Sequence, residues 1–348
     1  MVNSPDAYHE TFVPPTERIL DRGEPGCLVP DTTKLELDAL LEQAIEQYQI
    51  RDYEAALNTF QQVLVHYRRL PDMQGEGATL SGIGLTYYAL AHYQKAIAHS
   101  YQALAIARQV CDRKTERQAL GNLGNAYRHL HYYDKAVEYK LESLKIAREI
   151  QDRRGEVAAL NNLGMVFKAM NDCDRAIAYY SRALELAKDL DEVQVQVQVQ
   201  VLRNLGNAYH AKADHEQTIV CYERLHSLAQ QHGDRALEGQ VLKNLAIACH
   251  SVEAYDKAIG YHRQRLILAQ ELGDRRNEDQ ALESLCAIYE TQNNYELAIN
   301  CCEQRLKLAQ TANDSSLMQQ ALNSLKALCC SIGDYARASQ YSKTKPRS

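Results

Sequence analysis

Gln118-Ala-Leu-Gly-Asn-Leu-Gly-Asn-Ala-Tyr127 returns as Ala158-Ala-Leu-Asn-Asn-Leu-Gly164 and again as Gln200-Val-Leu-Arg-Asn-Leu-Gly-Asn-Ala-Tyr209. The small residue at the heart of this stretch recurs at Ala44, Gly84, Gly124, Gly164, Gly206, Ala246 and Cys286, with Lys326 in the last copy. Every step is 40 residues except the step of 42 into Gly206. A period of this size marks stacked supersecondary units that bury their apolar faces on one another. Twelve residues after this column stand Ala56, Ala96, Ala136, Ala176, Thr218, Ala258, Ala298 and Ala338. Nine residues after it stand Tyr53, Tyr93, Tyr133, Cys173, His215, Tyr255, Tyr295 and Tyr335. Within a unit, Leu120-Leu123-Tyr127 and Ala136-Val137-Leu141-Leu144 recur at spacings of three and four, the period of a buried helix face. Each unit therefore reads as two antiparallel helices brought close by small residues, with the Tyr column filling the bend. Asp72, Asp112, Asp152, Asp234, Asp274 and Asp314 occupy the links, where a carboxylate caps the next helix. The expected fold is all-α.

Leu-Gly-Asn-Ala-Tyr, Tyr-Asp-Lys-Ala-Val and Ile-Ala-Arg at fixed offsets resemble the tetratricopeptide repeat. The Gly233-Asp-Arg235 and Gly273-Asp-Arg275 links are similar to the lengthened repeats of Pins-type adaptors and of bacterial, notably cyanobacterial, members. The resemblance covers residues 35 to about 342 and implies a right-handed α-solenoid of about eight antiparallel helix pairs. The expected division is 1–33 as a Pro-rich, poorly ordered leader, 34–342 as the solenoid, and 343–348 as a basic tail. Units centre on 44, 84, 124, 164, 206, 246, 286 and 326. Val193-Gln-Val-Gln-Val-Gln-Val-Gln-Val201 alternates like a strand, yet it leads into the fifth unit. An isolated strand has no partner edge in a helical stack, so helix is expected through most of it. The two extra residues are expected to lengthen the preceding loop or add a half-turn to the helix start.

The composition narrows the function classes. A net charge of −6 argues against a nucleic-acid footprint. No apolar run approaches a membrane span, and the N-terminus lacks a basic-then-apolar signal pattern. Ten Cys without CxxC or zinc spacing read as buried free thiols, hence a reducing, cytoplasmic setting. Cys301-Cys302 and Cys329-Cys330 are neighbours, and helix neighbours point in different directions, so packing is the reading for both pairs. His129-Leu-His131 lacks a partner at ligand spacing and reads as solvent-facing. Gly82-Ile-Gly84 and Gly121-Asn-Leu-Gly124 follow no strand and read as packing glycines. No catalytic residue, metal or cofactor is expected.

What the resemblance implies about function lies in the first helices of successive units, which line a concave groove in that family. The groove-facing positions carry Gln118, Asn122, Asn125 and Arg128, then Asn162 and Lys168. Next come Gln200, Arg203, Asn204, Asn207 and His210, then Gln240, Lys243, Asn244 and His250. Carboxamides both donate and accept, so such a ladder can satisfy the backbone of an extended peptide. Flanking cations add charge-assisted bonds to ligand carboxylates. Arg203, Asn207, Lys243 and Asn244 resemble part of a carboxylate clamp, and Gln280 and Ser284 stand where a fuller clamp supplies cations. The Asn residues can equally bond between neighbouring helices. The binding centre is expected between residues 118 and 250. The expected activity is that of a non-catalytic scaffold or adaptor for a protein or peptide partner of unknown identity. The alternatives are an assembly chaperone for a multi-subunit, even photosynthetic, complex and a peptide-sensing regulator. Self-association through the terminal units is a further option.

Overall fold

The computed structural model describes residues 34–70, 72–188 and 195–343. All regular structure among them is α-helical, in sixteen helices joined by tight turns. The chain divides into two compact units with the boundary between Ala187 and Lys188. The first holds α1 (Lys34–Gln49), α2 (Tyr53–Arg69), α3 (Met73–Ala89), α4 (Tyr93–Gln109), α5 (Arg113–His129), α6 (Tyr133–Glu149), α7 (Arg153–Ala169) and α8 (Cys173–Lys188). The second holds α9 (Val195–Ala211), α10 (His215–Gln231), α11 (Arg235–Ser251), α12 (Tyr255–Leu272), α13 (Arg275–Thr291), α14 (Tyr295–Ala312), α15 (Ser315–Ser331) and α16 (Tyr335–Lys343). In each unit odd-numbered helices pack on the even-numbered helices that follow them, and the pairs stack on one another. The all-α expectation holds among the described residues. The leader expected over 1–33 and nearly all of the expected tail lie outside the described residues.

One close approach sets the spacing of the second to fifth pairs. The small-residue column of the first helix faces the side chain sixteen residues later on the second. A Cβ added to Gly84 would stand 2.5 Å from Ser100 Oγ, and one on Gly124 2.7 Å from Lys140 Cε. Gly164 faces Tyr180 at 2.5 Å and Gly206 faces Tyr222 at 2.9 Å in the same sense. These distances are below any relaxed carbon contact, so the partner side chain occupies the room that glycine leaves. Around this contact the first unit buries Phe60, Leu64, Leu80, Ile83, Leu104, Leu120 and Leu123 in one core. The second unit's core holds Ile259, Leu282, Leu285, Ile299, Leu325 and Leu328, together with Cys249, Cys286, Cys301, Cys302 and Cys329.

The caps follow the local chemistry. Asp72, Asp112, Asp152, Asp234, Asp274 and Asp314 each accept a backbone N–H from the first turn of the helix they precede. Asp52, Asp172, Asp214 and Asp334 do the same at second helices. Across the links, Arg68, Arg108 and Arg148 reach Glu76, Glu116 and Glu156 at 3.1, 2.9 and 2.7 Å. Gln230 and Gln270 donate to Glu238 and Glu278 in the same register. Arg113 also pairs with Glu149, and Arg235 with Glu271 at 3.1 Å. Such half-exposed pairs contribute little individually, although they recur at every one of these links.

The Val-Gln run is helical from Val195 onward, as expected. The described α9 has 17 residues, the same as α5 and α7. The two extra residues fall before Val195, in a stretch outside the described residues.

Each pair turns through a left-handed residue seven positions after the small column: Arg51, Ala91, His131, Asn171, Ala213, Glu253 and Asn293, with Gly333 in the last copy. This geometry lets His92 N–H reach Tyr87 O at 2.8 Å and Ala91 N–H reach Tyr88 O at 3.0 Å, closing the helix end. Side-chain-bearing residues are strained at such φ, and Ala91 sits at 60°. Ala91→Gly is therefore expected to stabilise the fold by about 1 kcal/mol in denaturant titration. A variant no more stable than the native chain contradicts the strain argument.

Candidate functional site

Within the first unit, α1, α3, α5 and α7 border a groove of about 700 Å³. Toward α1–α3 it is lined by Leu41, Ile45, Tyr48, Phe60 and Leu85 together with the charged Lys34, Asp38 and Asp72, and toward α5–α7 by Lys114, Arg117, Gln118, Asn122, Asn125, Lys140 and Asn162. The odd-numbered helices supply nearly all of the lining, because their paired helices cover the opposite face. Tyr67 OH donates to Asp38 at 2.5 Å, and Lys34 pairs with Asp72 at 2.7 Å, closing the rim at one end.

Four of the sequence-derived residues line this groove: Gln118, Asn122, Asn125 and Asn162. Gln118 is exposed and Asn162 half-buried, so both can meet a ligand. Asn122 is buried and its Nδ2 donates to Ser81 O at 3.1 Å, stitching α5 to α3. Asn125 offers Oδ1 to Lys140 Nζ at 2.7 Å. Arg128 lies off the groove and donates to Tyr88 OH at 3.3 Å. Lys168 is half-buried, and that burial lowers its pKa. His129 stacks on Tyr93 at 4.9 Å, while His131 bonds Tyr133 OH at 2.7 Å; both histidines are exposed, as expected.

The remaining candidates belong to the second unit. Tyr222 OH donates to Asn207 Oδ1 at 2.6 Å and also interacts with the Asn244 side chain. Both carboxamides of the partial clamp are thereby held by one buried tyrosine. Gln200 donates to Asn204 Oδ1 at 3.2 Å, one turn along α9. Arg203 is half-buried; Gln240 and Lys243 are exposed. His210 lies tilted against His215, and His250 stands edge-on to Tyr255.

Lys140 was not among the sequence candidates, because a lone lysine on a helix reads as a solvated one. It is 1% exposed. Its stem fills the space above Gly124, and its Nζ donates to Gly121 O at 2.6 Å and to Asn125 Oδ1. Burial drives its pKa well below 10.5, and the neighbouring Arg128 and Arg117 push the same way. A buried amine with two carbonyl acceptors fixes the groove floor and holds Asn125 in place. Lys114 and Arg117 stand beside it, with Arg117 Nε 3.0 Å from Asp152 Oδ2. The only signal for Lys140 lay in its place sixteen residues after Gly124, where other copies carry Phe60, Ser100 and Tyr180.

Lys140 has a testable pH signature. Between its lowered folded-state pKa and 10.5, the unfolded chain holds the proton and the folded chain does not. Stability therefore rises with pH through that window and levels off above it. Lys140→Met keeps the stem and removes the amine. The difference in unfolding free energy, native minus variant, should increase with pH up to about 10.5. A flat difference contradicts the buried-amine assignment.

Comparison with curated protein sequences gave no match. Among solved structures, a signal transduction ATPase with numerous domains and a tetratricopeptide repeat sensor, from Pyrococcus horikoshii, is 18% identical with a TM-score of 0.64. The match covers 90% of this chain and 46% of that one, so this chain spans less than half of that protein. The apo form of RapI is 13% identical, with a TM-score of 0.61 and coverage of 88% and 95%. The apo quorum sensor NprR from B. thuringiensis is 14% identical, with a TM-score of 0.56 and coverage of 90% and 88%. At these identities the likeness is one of fold. The family model described as tetratricopeptide repeat matches residues 40–109, 115–189 and 198–271, which is more than half of the sequence. With the helix pairs and their columns, that match means that the chain belongs to the tetratricopeptide repeat family.

Proposed function

We propose that this protein is a non-catalytic adaptor whose first unit holds a peptide segment of a partner protein in the groove between α1 and α7. The observation that carries the reading is the cluster of apolar side chains on the α1–α3 side of that groove and of carboxamides on its α5–α7 side. Leu41, Ile45, Phe60 and Leu85 form a recess for one or two apolar side chains of the ligand. Gln118 and Asn162 offer donors and acceptors to an extended backbone, and Lys114 suits a carboxylate nearby. A wall made of packed helices enters binding already ordered, so the entropic cost falls mainly on the peptide. The positions serving this role are those not already engaged in holding helices together, which removes Asn122 and Asn125 from direct recognition and keeps them as supports.

Selection of random phage-displayed peptides on the purified protein supplies the probe. The selected peptide is then titrated by calorimetry against the native chain and against Gln118→Ala/Asn162→Ala. Loss of affinity by about tenfold or more, corresponding to about 1.4 kcal/mol, is expected with an unchanged circular dichroism spectrum. A peptide bound equally well by both proteins places recognition elsewhere and overturns the reading.

A further inference from the structure

We propose that Cys286 and Cys302 form a reversible intrachain disulfide on exposure to a hydroperoxide, which makes the seventh helix pair a thiol–disulfide site. Their Sγ atoms lie 3.1 Å apart, one on α13 and the other on α14. A disulfide needs about 2.05 Å, so the sulfurs must close by about 1 Å, a movement within reach of small side-chain rotations. The two positions belong to the pair of columns that set the close approach of the second to fifth helix pairs. In this copy both columns carry sulfur, and the contact that is packing in the other pairs becomes a contact between two reactive groups.

The pair also has an internal order. Cys302 is fully buried, whereas Cys286 retains 7% exposure. The hydrogen bond between the two sulfurs lowers the Cys286 pKa, while that same contact and burial raise the pKa of Cys302. Cys286 is thus the sulfur that a small oxidant meets first, and Cys302 is the resolving thiol. The Cys286 thiolate attacks one peroxide oxygen, the O–O bond breaks, and the departing hydroxide takes a proton to leave as water. Cys302 sulfur then attacks the Cys286 sulfenic acid at sulfur. The S–O bond breaks, and hydroxide leaves with the Cys302 proton as a second water. Two thiols have lost two electrons and two protons to one hydrogen peroxide. Cys301 is buried about as deeply as Cys286, and its pKa, raised to about 11, holds it in the thiol form.

The test treats the full chain with limiting hydrogen peroxide, then alkylates it in denaturant and digests it after glutamate. Glu290 and Glu296 lie between the two cysteines, so the digestion places them on separate peptides unless they are linked. The expected product is a linked peptide pair that has lost two hydrogens and both alkyl groups, and that a thiol reductant separates. Cys301→Ser should retain this product. Cys302→Ser, which borrows the residue found at Ser100, and Cys286→Ala, which borrows that of Ala246, should each abolish it. Should either variant fail to fold, fragmentation of the linked native peptides, which tells Cys301 from Cys302 on the shared peptide 297–303, decides alone. Full alkylation of Cys286 and Cys302 while other cysteines are oxidised would overturn the proposal. So would Cys286 advancing to sulfinic acid without a link, or a link from it to Cys301 or Cys329.

Discussion

The structure depends on how closely the two helices of each pair approach, and in the second to fifth pairs one contact decides it: a glycine backbone on the first helix against the side chain sixteen residues on. Glycine inside a helix costs about 1 kcal/mol in propensity. Burying a Tyr180 or Tyr222 against that bare backbone offsets the cost, since large side chains contribute roughly 1.5–3 kcal/mol when fully enclosed. Glycine therefore appears here as the complement of a neighbour. A different partner residue changes what the pair offers without changing its shape. Ser100 is small, Tyr180 and Tyr222 fill space, Lys140 supplies an amine to the groove floor, and Cys302 meets Cys286.

Most of the fold was legible because its determinants are local and repeated. The three-and-four apolar spacing requires helices, the aspartates require caps, and the constant step requires stacking. The Val-Gln run shows the same priority: its alternation is a strand pattern, but the helix beginning at Val195 follows the register of Gly206. Less legible were features whose residue identity varies along a column. The left-handed turn position carries Arg51, Ala91, His131 and Glu253, none of which announces a positive φ. The link ladder of Arg68, Arg108 and Arg148 with three glutamates was written at the repeat spacing, but its meaning rests on contacts across links.

The candidate site was legible only in part, for a related reason. Which helices face the groove follows from the pairing, so Gln118 and Asn162 could be placed from their columns. Whether a polar side chain is free depends on what lies across from it, and that is tertiary. Asn122 is held by Ser81 of the preceding pair, Asn125 by Lys140, and Asn207 by Tyr222. In two of these three cases the partner comes from the sixteen-residue column, so the contact that spaces the helices also selects which carboxamides remain for a ligand. The described groove accordingly lies toward the first three pairs, nearer the N-terminus than the carboxamide columns alone suggested.

A double-mutant cycle at Gly164 and Tyr180 tests this account most directly. Gly164→Ala inserts a methyl where Tyr180 already stands, and Tyr180→Ala vacates that space. The account predicts that Gly164→Ala is strongly destabilising in the native chain and nearly neutral beside Tyr180→Ala, with a coupling of about 1–3 kcal/mol in equilibrium unfolding. Additive effects, with the methyl costing the same in both backgrounds, would contradict it.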